Sequence, residues 1–154
     1  MPASRLVPTD CTCLRARSAA RRISQVYDRH LASVDLRITQ FSLLSHVAAA
    51  GPIAVGRLAE LLNADRTTLS RALGPLLAGG ALVEVAAGDR RRRELAVGTE
   101  GRALLRRARP LWEAAEREVR ATLGPALTCD LHAALEGAVE RLRPPGDPQS
   151  AGSA

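Results

Sequence analysis

The 154-residue chain contains no lysine, so its 22 basic residues are all arginine. Against 16 acidic residues they leave a formal net charge of +6. A basic balance of this kind fits a polyanionic partner, although arginine-only usage is also what a biased genome composition produces. Aromatic residues are almost absent: Tyr27, Phe41 and Trp112 are single representatives. That argues against a binder that stacks single-stranded bases on aromatic rings. No apolar run approaches the roughly 18 residues of a membrane span. The N-terminus lacks the apolar core of a signal peptide, and the expected location is the cytoplasm. Three cysteines, an odd number, make no disulfide framework. With His30, His46 and His132 remote in spacing, they make no metal set either. No nucleophile–base pair, phosphate-binding glycine loop or paired acid motif stands out. The chain is therefore expected to be no enzyme, with no metal and no cofactor. At this length one domain is the default.

The informative stretch is residues 65 to 95. Asp65-Arg66-Thr67-Thr68-Leu69-Ser70-Arg71 opens a helical pattern that closes at Gly79-Gly80. At about 100° per residue, Leu69, Ala72, Leu73 and Leu76 share one side. Thr67, Arg71, Gly74 and Ala78 share the other, flanked by Thr68 and Ser70. A solvated face more often carries long charged residues, whereas small outward residues let a helix axis approach a partner closely. Pro75 removes one backbone bond and predicts a distortion or an early end. Two short strands follow, about 82–86 and 93–97, joined through Gly88-Asp89 and the run Arg90 to Arg93. A helix with a small, polar, arginine-bearing face, followed by a basic hairpin, suits reading a nucleic-acid groove and gripping its backbone.

Around this stretch the pattern is helical. Asp10 is placed to cap a first helix running to about Ser33. Thr39 is placed to cap a second, which stops at Gly51-Pro52. Ile53-Ala54-Val55 reads as a strand stub. A third helix carries Leu58, Leu61 and Leu62 and turns at Asn63-Ala64, and Asp65 caps the fourth. A long fifth helix, roughly 99–123, carries Pro110 and predicts a bend there. A sixth helix carries Leu127, Leu131, Leu135, Ala138 and Leu142 before Pro144-Pro145. The terminal helices have apolar stripes far in sequence from the central core, and pairing with a second copy would bury them.

These features resemble the MarR family of winged helix-turn-helix transcription regulators. The resemblance covers about residues 11 to 142. Thr39-Gln40-Phe41-Ser42-Leu43-Leu44, Leu58-Ala59-Glu60-Leu61-Leu62, Asp65 to Leu76, and Asp89-Arg90-Arg91 with Gly101 carry it. Two positions depart from it. Val97-Gly98 stands where Leu-Thr usually ends the second wing strand, and Gly56 stands where a Ser/Thr cap often opens the third helix. The implied fold is mainly α: a winged helix-turn-helix with a small β-hairpin wing, flanked by N- and C-terminal dimerisation helices. Residues 1–9 would then be a flexible arm, and 10–36 with 99–143 the helical dimerisation region. Residues 37–98 would form the DNA-binding lobe and 144–154 a disordered tail.

The resemblance implies a homodimer on double-stranded DNA, the fourth helix in the major groove and the wing in the minor groove. Repression is the commoner mode. Arg71 is the main base-reading candidate, because a guanidinium can bond guanine O6 and N7 together. Thr67, Thr68 and Ser70 are candidates for phosphates or bases. Arg66 lies in the first turn, where free amides favour phosphate. Strand alternation prevents the four wing arginines from pointing one way. Arg91 is expected in the minor groove, Arg90 and Arg92 on phosphates, Asp89 orienting an arginine, and Arg93 turned back toward Glu94 or the domain body. Cys11, Cys13 and Cys129 are candidates for a redox switch. Tyr27, Phe41, His46 and Trp112 are candidates for a small-molecule effector cleft. The rival reading is a winged-helix protein-interaction module that binds no DNA.

Overall fold

The computed structural model describes residues 11–86 and 93–143, with Arg66 described by its backbone alone. The N-terminal arm with Asp10 and the C-terminal tail lie outside the described residues. The elements are α1 (Thr12–Leu31), a 3-10 turn (Ala32–Val34), α2 (Ile38–Ala50), α3 (Val55–Leu61), α4 (Arg66–Ala78), β1 (Leu82–Ala86), β2 (Arg93–Val97), α5 (Thr99–Leu123) and α6 (Pro125–Arg141). The chain divides into two units, Met1–Glu116 and Arg117–Ala154, with the division inside α5. Among the described residues no helix is long and apolar enough to cross a membrane.

The first unit holds the core. Its largest fully buried side chains are Leu31 of α1, Leu44 and Val47 of α2, Leu58 of α3, Leu82 of β1 and Leu95 of β2. Full burial of each contributes about 1.5–3 kcal/mol, so one cluster ties helices and wing together. Phe41 and Trp112 stack at its edge, with ring centroids 5.8 Å apart and planes 19° off parallel. The wing strands pair antiparallel, with Leu82 opposite Val97 and Ala86 opposite Arg93. Ile53 adds a third-strand bridge, exchanging backbone bonds of 2.9 and 2.8 Å with Leu95. The stub expected at Ile53 therefore anchors the wing on the body.

Two helix starts differ from expectation. Cys11, whose side chain makes no capping bond, is the N-cap of α1. α2 begins at Ile38, and its cap comes from outside the local sequence. The Ile38 amide donates to the Asp28 carboxylate at 2.8 Å, and the Arg37 amide donates to Gln40 Oε1 at 3.0 Å. Two of the amides that a helix start leaves unsatisfied are thus paired. Thr39 caps nothing there. α3 follows Ala54, whose side chain makes no cap bond, so Gly56 lies inside the helix rather than at its cap.

Both prolines are absorbed. α4 runs through Pro75 to Ala78, and α5 runs unbroken through Pro110. A proline costs one backbone bond and crowds the preceding turn. Leu73 and Leu76, both 3% exposed, clamp the helix to the core on either side of Pro75. Ala108 and Trp112 do the same around Pro110. Tertiary packing outweighs the local penalty, and the early end expected for α4 does not occur.

The junction of wing and α5 is close-packed backbone. The Gly98 amide donates to the Ala81 carbonyl at 3.0 Å. A Cβ on Gly101 would stand 2.0 Å from that same oxygen, and one on Gly98 would stand 2.3 Å from the Gly80 carbonyl oxygen. Gly101 therefore permits an approach that no side chain allows. Gly101→Ala is expected to lower the unfolding free energy by about 3 kcal/mol, at the upper end for overpacking. Gly137 of α6 has open space around it. Gly137→Ala should raise stability by up to about 1 kcal/mol through helix propensity alone. Urea unfolding of both variants checks the pair; a Gly101→Ala midpoint equal to wild type would refute the crowding.

Candidate nucleic-acid interface

The site is built on α4. Asp65 is its N-cap, with extended backbone and an exposed side chain. Its carboxylate accepts the Thr68 amide at 2.9 Å and the Thr68 hydroxyl at 2.5 Å. The hydroxyl bond first, and the amide bond second, hold the Asp65 carboxyl below the usual aspartate range. The Thr68 hydroxyl proton is committed to this cap, which leaves it no proton to donate to a phosphate. Leu69, Leu73 and Leu76 are buried against the core. Thr67, Ser70, Arg71, Gly74 and Ala78 are exposed. The division of faces expected from 100° spacing is the one observed. Arg71 makes no hydrogen bond or ion pair among the described residues, so its guanidinium fork is available to a partner.

The wing is positioned by β1 and β2, but its tip, with Asp89, Arg90, Arg91 and Arg92, lies outside the described residues. Arg93 does turn back. It meets Glu84 of β1 at 2.7 Å rather than Glu94. Glu84 faces Leu95 in the ladder, so Arg93 and Glu84 are diagonal neighbours on one face while Glu94 points to the other. The hairpin register carries this signal. At the base of the wing, Arg102 donates to the Val97 carbonyl at 2.7 Å and to the Thr99 hydroxyl at 3.3 Å. A guanidinium one turn into α5 thus closes the junction where Val97-Gly98 replaces Leu-Thr.

The remaining candidates are placed as follows. Phe41 and Trp112 are brought together, but against each other. The Tyr27 hydroxyl donates to the Glu116 carboxylate. His46 is exposed, with Nδ1 donating to the Ser42 carbonyl at 2.7 Å. Cys11, Cys13 and Cys129 are free thiols, the first half-buried and the others exposed. Among the described residues no group of three or more His, Cys, Asp or Glu is placed to hold a metal ion.

This arrangement, a capped helix with a bare arginine above a three-stranded wing base, recurs in known proteins. The model of the MarR family matches residues 34–93, the span that holds α2, α3, α4 and β1. The crystal structure of the M. tuberculosis transcriptional regulator MosR in complex with DNA is 35% identical. It covers 87% of this chain and 99% of that one, with a TM-score of 0.72. The chain belongs to the MarR family. That family is made up of transcription regulators, not enzymes. An E. coli MarR mutant complexed with operator DNA shares the fold at 20% identity and a TM-score of 0.73, over 80% of this chain and 90% of that one. BpsR of Bordetella bronchiseptica, whose DNA binding is regulated by 6-hydroxynicotinic acid, shares it at 19% identity and a TM-score of 0.75, over 90% and 97%. No curated protein matches the chain by sequence. In MarR-family terms, α4 is the second helix of the helix-turn-helix and β1–β2 is the wing.

The Asp65 cap predicts a pH dependence. Because the folded carboxyl titrates below its unfolded counterpart, the cap stabilises fully above about pH 4. Its contribution fades as pH falls from there through the folded-state value. Asp65→Asn keeps a capping oxygen but cannot titrate. Chemical unfolding from pH 6 to pH 3 should therefore show a steeper loss for wild type than for Asp65→Asn. Parallel curves would refute the assignment.

Proposed function

We propose that this MarR-family protein is a homodimeric, sequence-specific DNA-binding transcription regulator that acts as a repressor. Each subunit lays α4 in a major groove and its arginine wing, Asp89 to Arg92, in the neighbouring minor groove. The observation that carries the reading is the outer face of α4. It combines a free guanidinium at Arg71, exposed hydroxyls at Thr67 and Ser70, and small residues at Gly74 and Ala78. The 35%-identical M. tuberculosis MosR has been crystallised on DNA, which supports carrying the partner over. Arg71 is assigned to a base, and Thr67, Ser70 and Arg66 to phosphates or bases. Thr68 is assigned mainly to the cap, since its hydroxyl already serves Asp65.

Residues 10–36 and 99–143 supply the dimer in this reading, and residues 37–98 supply the DNA-binding lobe. Support comes from the second unit, where Leu127, Leu135, Val139 and Leu142 are about half exposed or more. At about 100° per residue these four fall within one third of the helix circumference. An apolar stripe of this kind calls for a covering surface, and a two-fold related copy provides it. Repression is relieved by a small molecule or by oxidation of the free thiols at Cys11, Cys13 and Cys129.

Two half-sites should lie about 34–36 Å apart, one helical turn, and affinity should fall steeply with salt. Footprinting on the DNA flanking the protein's own coding region tests the reading. A symmetric protected site is expected. Arg71→Ala should weaken that site by roughly 1–3 kcal/mol and relax preference at one base pair. Undiminished affinity would turn the reading toward a winged helix that binds another protein. For the dimer, Leu135→Glu should shift the mass seen by light scattering from two chains to one. A variant that stays dimeric would remove α6 from the interface.

A further inference from the structure

A second feature of α4 lies on its inner side. A groove of about 350 Å³ runs between α4, α2 and α1. Its walls include Ser24 of α1, Thr39, Ser42 and Leu43 of α2, and Thr68, Leu69 and Ala72 of α4. None of its lining residues is charged, in a chain where a quarter of residues are. The hydroxyls of Ser24 and Thr39 make no hydrogen bond among the described residues. The groove lies off a different side of α2 from Phe41, which is stacked on Trp112.

We propose that this groove binds a neutral, largely apolar small molecule carrying one hydrogen-bonding group, and that its occupancy weakens DNA binding by displacing α4 from α2. The second half rests on the DNA-binding reading of α4. The size suits a ligand of about ten to fifteen non-hydrogen atoms, at the small end of ligand sites. The chemistry follows from the lining. An apolar wall rewards apolar surface, while a carboxylate placed there would lose its water with no cation to replace it. The net positive charge of the chain would attract anions to its surface, yet the groove itself offers them nothing. Two unpaired hydroxyls on opposite walls can each give or accept one bond, which orients a neutral phenol or ketone.

The coupling follows from position. Thr68, Leu69 and Ala72 interleave in sequence with Thr67, Ser70 and Arg71. A ligand there cannot block the reading face, because it sits behind it. It acts only by binding better when α4 stands away from α2, which is a difference in affinity between two helix positions.

The test uses the full-length protein and two probes of one shape, neutral 1-naphthol and anionic 1-naphthoate. In amide NMR spectra, 1-naphthol should shift Thr68, Leu69 and Ala72 saturably, and 1-naphthoate should not. Fluorescence anisotropy on the footprinted DNA should show affinity falling at least about fivefold with 1-naphthol. Ser24→Phe, which fills the groove from α1, should abolish both effects. Thr39→Val, at an exposed position, guards against a misfolded Ser24→Phe and should weaken 1-naphthol binding several-fold. Equal binding of 1-naphthoate overturns the neutral ligand class. Absence of 1-naphthol shifts, as when a second copy fills the groove, overturns the site, as does unaltered binding in Thr39→Val. Shifts without any change in DNA affinity overturn the coupling. A protein that gives no footprint at all sinks the DNA reading instead, and leaves the 1-naphthol shifts to stand or fall alone.

Discussion

The Ala81 carbonyl is the point on which the first unit turns. It accepts the Gly98 amide and lies where any side chain at Gly101 would have to go. Three elements meet there: the end of α4, the base of the wing and the start of α5. The contact is backbone on backbone, so it has little freedom to relax. Arg102 reinforces it from α5 by holding the Val97 carbonyl and the Thr99 hydroxyl. Whatever α4 and the wing touch, their relative setting is determined by this junction and by the Ile53–Leu95 bridge beside it. A reading helix and a wing are useful together only when that setting is rigid.

Much of this was legible in the sequence, and for identifiable reasons. The buried and exposed faces of α4 follow from 3.6-residue spacing, and the strand limits from alternation and the flanking glycines. The Asp65 cap is a local signal, three residues from the amide it serves. The features that escaped are those set by distant partners. Asp28 caps α2 from 10 residues upstream, and no local pattern announces it. Pro75 reads as a helix breaker until Leu73 and Leu76 are known to be clamped on the core. Gly101 could be recognised as a motif residue, but its reason, an oxygen 20 positions earlier, is purely tertiary. The neutral groove is likewise an assembly of three helices whose members carry no common sequence mark.

Thr68 shows how a local bond redistributes roles along a helix face. By residue type it is as good a phosphate ligand as Thr67. Once its hydroxyl closes on Asp65, it becomes part of what holds the helix start in place. The cap also leaves a carboxylate at the helix start, close to where a phosphate would approach. Repulsion there is short-ranged, since ions screen exposed charges over about 8–10 Å. A phosphate would thus be guided away from the first amides and toward Ser70 and Arg71, one turn further on.

The exposed stripe on α6 sets a quantitative limit on the proposed dimer. Four large apolar side chains, Leu127, Leu135, Val139 and Leu142, are partly exposed. Burying each in full is worth about 1.5–3 kcal/mol, or roughly 6–12 kcal/mol together. Bringing two chains into one assembly costs roughly 4–15 kcal/mol in lost freedom. Two copies contribute two stripes, but each side chain begins only about half exposed to four-fifths exposed, so the gain approaches the single-stripe sum. That sum sits within the cost rather than above it. The stripe alone therefore does not hold a pair. Further apolar surface must join it, and exposed Leu14 on α1 is the large hydrophobic residue available at the other end of the chain. A dimer held by both terminal helices is thus demanded by the energetics of α6, and a contact through α6 alone would be a transient one.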